Sequence, residues 1–518
     1  MKKLLLLTLS LLSTCVLHAQ STYYKYVNEA SIASSSFSSC LATNTGYIFA
    51  GSASNLIFDS HFLITRITTA GAVQQMRSFP ASGYNSITSV IQTTDGNVAY
   101  WGTEGNNTTF INSLALIKTD LVGNFLINKT YSSPNHSLTS TKFVQDAQGN
   151  YYLLASASNT QSFTDEICLL KTDASGNIIS QKFISLGVNT SSMDIITTAG
   201  NGILVTGYAN NGTSIETIAL FKLDANLSLS WSKWYASTTN KYFHYDIKEK
   251  PNGNFILCGR FDDTVNPYST LVMEVDNNGN QVWAKKYTSN DNSRVHGYAL
   301  EFNSAGEAII AGGIDRGLGA GPVMAMNINA TNGNVNWSKF LNTGAFAEVI
   351  YGMDITSSGD ILACGYRESS ASIIKASSTF DLCSDSLYGI SESSLTVPTQ
   401  GASPTITNSA ISAGTWSKTP NALTTITDAC TNVGLAENGN DLSLSIYPNP
   451  VMNELHIEST EPINRIRIFD ATGRLVYDLE YKNKFKLDLV TSGFRKGIYN
   501  VQIQTDKRFS NISILKLE

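Results

Sequence analysis

The feature that most constrains this chain is a unit of about 52 residues that repeats along most of its length. Each copy opens on a tight Gly/Asn turn and continues into an apolar strand ending in a small residue. A polar loop follows, then an apolar strand ending near Lys and Asp, a second Gly/Asn turn, and a strand rich in Trp, Lys and Tyr. The strand-ending residue can be followed as Gly51, Gly102, Ser156, Gly207, Gly259, Gly312 and Gly365, with neighbours 51 to 54 positions apart. The fifth copy is the clearest. Asn252-Gly253-Asn254 leads into Phe255–Gly259, and Leu271–Val275 is followed by the turn Asp276–Asn280 and the strand Val282–Tyr287.

A period near 50 that holds four short strands predicts an all-β, seven-bladed β-propeller. Helical solenoids need apolar residues spaced 3 and 4 apart, a pattern absent from these units. Sandwich domains need about twice the residues per unit. The seventh unit has no aromatic strand after Ile373-Ile374-Lys375, whereas Tyr23-Tyr24-Lys25-Tyr26 stands unassigned near the start. The N-terminal strand is therefore expected to complete the last blade and close the ring, removing two open sheet edges.

With the strands of a blade named A to D from the axis outward, the A–B and C–D connections are tight Gly/Asn turns. The B–C and D–A connections are long, and both emerge on the opposite face. Loops on a rigid scaffold are where binding usually sits. That face is expected to carry Phe163, Asp165, Tyr242, His244, Arg260, Asp262, Asp263, Tyr268, Arg294, His296, Arg316 and Arg367. Rings beside Arg and Asp suit a glycan or peptide ligand. Trp231, Trp283 and Trp337 hold one repeat position, which points to packing between blades. Asp262 and Asp263 lack the further spaced carboxylates of a calcium site, so no cofactor or metal is expected. No nucleophile elbow, zinc helix or phosphate loop occurs, and no catalytic residue is assigned.

The net charge of −6 offers no basic field for nucleic acid. Lys2 and Lys3 before the apolar run Leu4–Leu12, with small residues up to Ala19, read as a signal peptide over residues 1–19. A lipid-anchor alternative at Leu12-Ser13-Thr14-Cys15 is disfavoured by Thr14. No other stretch approaches the ~20 apolar residues of a membrane helix. Past the leader six cysteines remain. Cys383 and Cys430 flank a Ser/Thr-rich segment and are the candidate disulfide, since export permits one. The expected divisions are a propeller over 20–376, a Ser/Thr-rich linker with some strand over 377–440, and a small β-sandwich over 441–518.

That last segment alternates apolar and polar residues between Pro and Gly turns. Its Tyr447-Pro448-Asn449-Pro450 opening, the Asp470-x-x-Gly473-Arg474 centre and the Gly497-Ile498-Tyr499 strand occur in order. Together they resemble the C-terminal sorting domain of the type IX secretion system of Bacteroidetes. The resemblance implies passage through the outer membrane, contact with the type IX secretion machinery, removal of the tail, and either release or attachment to surface lipopolysaccharide. The expected function is a secreted or cell-surface, non-catalytic binding or adhesion module for glycan or protein. The alternative is a polysaccharide hydrolase or lyase using axial carboxylates.

Overall fold

A computed structural model describes residues 22–429 and 445–517, apart from 57–58, 82, 211–215, 238, 264–267, 316–319, 342–344, 346, 383–384, 471–473 and 506–508. Arg316, Cys383, Cys430 and Gly473 lie outside the described residues, as does the leader. The described chain is all-β and divides into two units, Met1–Cys430 and Thr431–Glu518.

The first unit is seven blade-like antiparallel sheets. Their inner strands are Ser34–Thr43, Asn85–Gln92, His136–Gln145, Asn189–Thr197, Lys241–Glu249, Arg294–Phe302 and Glu348–Ile355, on sheets one to seven in order. The Gly/Asn turns close as expected: Asp276 accepts from the main-chain N–H of Asn278 and Asn280, and Gly279 at φ +74° supplies the left-handed residue. A Cβ at Gly279 would meet the Trp231 ring at 2.8 Å, so the turn of the fifth sheet rests on the tryptophan of the fourth. Trp231, Trp283 and Trp337 all pack against cores between sheets.

Seven apolar clusters fill seven seams, one between each pair of consecutive sheets. The seventh joins the last sheet to the first, through Phe37, Phe49 and Leu63 against Leu362, Cys364 and Ile373. Tyr23–Val27 pairs with Ser370–Ala376 in the last sheet, with Tyr24 opposite Ile374. This is the pairing the repeat count requires.

Each sheet has five strands rather than the four of the repeat. The fifth comes from the Ser/Thr-rich segment, whose strands attach one per sheet in reverse order. Asp385–Leu387 joins the sixth sheet, Ile390–Ser394 the fifth, Thr399–Gly401 the fourth and Thr405–Thr407 the third. Ser412–Thr415 joins the second, Asn421–Leu423 the first, and Ile426–Asp428 lies against Tyr23–Val27 in the seventh. The linker is thus a belt that makes one lap. It sets an apolar side chain at every seam: Tyr388, Val397, Ile406, Ile411, Trp416, Leu423 and Ala429. Trp416 is the largest. It is 2% exposed and lies 5.4 to 5.9 Å from the rings of Phe62, Phe79 and Phe125.

In the second unit, strands Ser445–Tyr447, Glu454–Asp470, Gly497–Thr505 and Phe509–Lys516 pair in that spatial order, and Leu475–Val490 pairs with Glu454–Asp470. Alternate residues Leu455, Ile457, Ile466, Ile468, Val501 and Ile503 build its core.

Candidate functional site

The inner strands determine the site. In each, the pairing register slips by one residue at the same place. A bulge inserts an unpaired residue and re-aims the side chains around it. The extra residues are Ser38, Thr88, Thr141, Met193, Tyr245, Tyr298 and Tyr351 on sheets one to seven. On the second and third sheets the hydroxyls stitch neighbours together: Thr88 meets Ser140 at 3.0 Å and Thr141 meets Ser192 at 3.0 Å. On the fifth to seventh sheets the position carries tyrosine. The Tyr245 and Tyr298 rings are 4.6 Å apart, and Tyr298 and Tyr351 are 5.7 Å apart.

This row extends outward on the loop-rich face. His296 stacks on Tyr298 at 5.9 Å and lies 5.7 Å from Tyr268. The Arg260 guanidinium covers Phe243 at 4.0 Å and Tyr268 at 4.5 Å, while Arg294 covers Tyr268 at 4.7 Å. Each arginine has a carboxylate partner, Asp262 at 3.0 Å and Asp315 at 3.3 Å. The arginines therefore add flat faces with little net charge. At its other end the row reaches a cavity of about 640 Å³ beside the seam of the last and first sheets. Tyr351, Tyr366 and Tyr84 line it together with Asp59 and a group of serines, Ser34 to Ser36 among them. Tyr351 and Tyr84 are 40% and 60% exposed.

A second cavity, of about 260 Å³, is lined by residues of all seven inner strands. Lys142, Asp194, Asp246, Lys248, Glu301 and Asp354 converge there. Lys248 Nζ donates to Glu301 Oε1 at 2.5 Å, with Asp246 at 4.0 Å. Burial, reinforced by Asp246, pushes the Asp194 carboxyl up to about 8. Burial also lifts Glu301 to about 7 against the pull of Lys248. These carboxylates bind neighbouring sheets. Asp194 accepts from Ile195 N–H and Ile247 N–H, Asp246 from Leu300 N–H, and Asp354 from Ala42 N–H and Ile355 N–H. Ser39 does the same toward Val90 N–H.

Among the residues singled out from sequence, the structure brings Arg260, Asp262, Tyr268 and His296 together with Arg294. Asp263 lies nearby, paired with Lys286 at 3.2 Å. Tyr242 and His244 are corrected. Both are 1% exposed, with Tyr242 in the core between the fourth and fifth sheets, because the strand alternates and its less buried residues are Phe243 and Tyr245. Burial holds His244 down to about 4, and burial with Arg260 does the same to His296. Arg367 stands apart, bonded to Glu348 at 3.2 Å and stacked on Tyr26 at 4.8 Å, where the N-terminal strand joins the last sheet. The tyrosines at the bulge were missed, although Tyr245, Tyr298 and Tyr351 recur every 53 residues.

In the second unit the motif residues occupy turns and strand ends. Asp470 N–H donates to Arg474 O at 2.9 Å, and the two side chains pair at 3.0 Å across the hairpin. Tyr499 donates to Arg495 O at 2.7 Å and stacks on Phe494. Tyr447 donates to Glu458 at 2.6 Å, and Asn449 accepts from Leu515 N–H at 2.9 Å. The peptide bonds preceding Pro448 and Pro450 are cis. Glu454, His456 and Asp488 cluster on the surface of this unit, with His456 Nδ1 2.6 Å from Asp488.

Among the described residues no helix is long and apolar enough to cross a membrane. No curated protein matches the chain. Among solved structures, an extracellular domain from B. thetaiotaomicron aligns at 10% identity over 95% of this chain and 76% of its own, with a TM-score of 0.19. A structure described as the eukaryotic initiation factor aligns at 12% identity over 66% and 89%, with a TM-score of 0.29. Neither score carries an argument. A family model does match: the secretion system C-terminal sorting domain, over residues 445–516. These residues form a type IX secretion sorting domain, and the chain that carries it is exported to the cell surface or the extracellular space.

Proposed function

We propose that the first unit is a closed seven-bladed β-propeller that binds a neutral glycan on its loop-rich face and does not cleave it. Closure is supported by a core at every seam, by the pairing of Tyr23–Val27 with the last sheet, and by a cavity that every inner strand lines. The binding reading rests on one observation. The rings of Tyr268, His296, Tyr298 and Tyr351 follow one another into a hydroxyl-lined cavity. Sugar rings stack on flat aromatic faces while their hydroxyls take hydrogen bonds, and the paired arginines argue against a strongly acidic ligand.

The hydrolase or lyase reading has an observation of its own, the carboxyls of Asp194 and Glu301 raised into the range of a general acid. Against it, both oxygens of Asp194 and of Asp354 accept main-chain N–H groups, and the 260 Å³ cavity is small for a polysaccharide. A glycan and polysaccharide array on the full chain, with product analysis of each hit, decides between them. Binding without cleavage is expected. Cleavage abolished by Glu301→Gln would overturn the proposal.

A disulfide between Cys383 and Cys430 is part of the same proposal. The belt completes its lap between them, and their neighbours Leu382 and Ala429 pack against one cluster. Closing that loop stabilises by ~4 kcal/mol. Peptide mapping without reductant is expected to recover the linked pair, and unlinked peptides would remove this element.

A further inference from the structure

Two loops on the same face have a form that packing does not explain. Phe110 and Phe163 end the B–C loops of the second and third sheets, 53 residues apart, and are 81% and 82% exposed. Both hold a left-handed backbone, at φ +55° and +57°. A bulky side chain rarely adopts that conformation, and the strain costs on the order of 1 kcal/mol or more. The two loops are built alike. Phe110 N–H donates to Asn106 O at 2.8 Å and Phe163 N–H to Asn159 O at 3.0 Å. The Asn106 side chain accepts from Thr108 and Thr109 N–H, and the Asn159 side chain from Gln161 and Ser162 N–H. A single exposed aromatic residue needs no explanation. Two rings, strained into the open at one loop position of adjacent sheets, are a display.

The geometry points to these rings as the far end of a binding track for an extended, uncharged polysaccharide. Phe110 adjoins the proposed glycan site. A Cβ on Gly105 would meet the Tyr84 main chain at 2.5 Å, so Tyr84, a lining residue of the serine cavity, sits against the loop that carries Phe110. Aromatic side chains then follow round the face from Tyr268 on the fifth sheet, through Tyr298 and Tyr351, to Tyr84, Phe110 and Phe163. The choice of occupant follows from the residues around the tips. Asn107, Thr108, Thr109, Thr160, Gln161 and Ser162 are polar and uncharged, so the tips offer amides and hydroxyls but no cation for an anionic lipid surface. Rings spaced along a track engage successive sugars, and the second engagement is intramolecular once the first is made.

This inference rests on the reading of the face as a glycan site, and the test separates the two. The full chain is titrated with neutral cello-, xylo-, laminari- and manno-trisaccharides and with their parent polymers. The variants are Tyr351→Ala and the double variant Phe110→Asn with Phe163→Asn, in which asparagine tolerates the left-handed turn. The polymer is expected to bind on the order of ten- to a hundredfold more tightly than its trisaccharide. The double variant loses that advantage, keeps trisaccharide affinity and keeps its melting temperature, whereas Tyr351→Ala weakens both ligands. Trisaccharide binding with no polymer advantage, or an advantage the double variant retains, overturns the track alone. Absence of binding to every probe overturns the track and the glycan site together.

Discussion

Sheets one to three and sheets five to seven share a backbone down to the bulge in the inner strand, yet use it differently. In the first half the bulged residue is Ser38, Thr88 or Thr141, and in two of the three sheets its hydroxyl meets a serine of the next sheet. In the second half it is Tyr245, Tyr298 or Tyr351, and the rings lie against one another beside a cavity. One residue along, the contrast changes form. Ser39 holds the main chain of the next sheet in one half, and Asp246 holds it in the other. Where the backbone repeats and the chemistry does not, the difference is carried by the side chains at the bulge and beside it.

The strongest way to sharpen this comparison is to damage both halves at positions that ought to be equivalent. The belt sets Trp416 at the seam of the first and second sheets and Val397 at that of the fourth and fifth. Trp416→Ala is expected to cost about 3–5 kcal/mol of unfolding free energy. Val397→Ala should cost about 1.6 kcal/mol, in proportion to the two methyl groups lost. Denaturant titration measures both. Equal, small effects would mean that the belt is not part of the folded core.

Next in size is the effect on binding. Tyr298→Ala is expected to weaken glycan affinity by about 2 kcal/mol, roughly thirtyfold, as aromatic anchors do elsewhere. Thr88→Ala, at the same repeat position, should leave affinity within twofold. Calorimetry on the pair would break the comparison if the two losses were equal.

Smallest is a pH effect. Asp194 and Glu301 have folded-state pKa values of about 8 and about 7, above their unfolded values. The folded chain therefore keeps protons that the unfolded chain releases, so these groups lower stability as pH rises through that window. His244 and His296, held at about 4, act oppositely and only below about pH 6.5. Between pH 6.5 and 8 the melting temperature is expected to fall, by the equivalent of on the order of 1 kcal/mol per pH unit, and Glu301→Gln should flatten the slope. A slope unchanged by that substitution would remove Glu301 from the account.

Much of the scaffold was legible in the sequence, because Gly at positive φ, followed by Asn, leaves a fixed spacing that no other feature of this chain mimics. The sorting unit was legible from motifs that turn out to form a hairpin at Asp470 and Arg474 and a strand edge at Tyr499. The belt was not. Its strands are three to five residues long and largely exposed, and they draw on Ser, Thr, Ala and Gly, so no apolar alternation builds up. The aromatic row was half legible. Arg260, Tyr268 and His296 were named from sequence and lie together, but Tyr242 and His244 were named where Phe243 and Tyr245 are the less buried residues, since a period of two reads equally well from either parity.

The belt also decides how the molecule carries load. Its last described strand, Ile426–Asp428, lies on the N-terminal strand, and the chain continues from there into the sorting unit. Tension applied through the tail meets Cys430 before that strand, so the proposed bond to Cys383 would carry it past the belt to the end of the last sheet. With that bond reduced, the same pull would peel the belt one sheet at a time, from the seventh to the first and onward to the sixth.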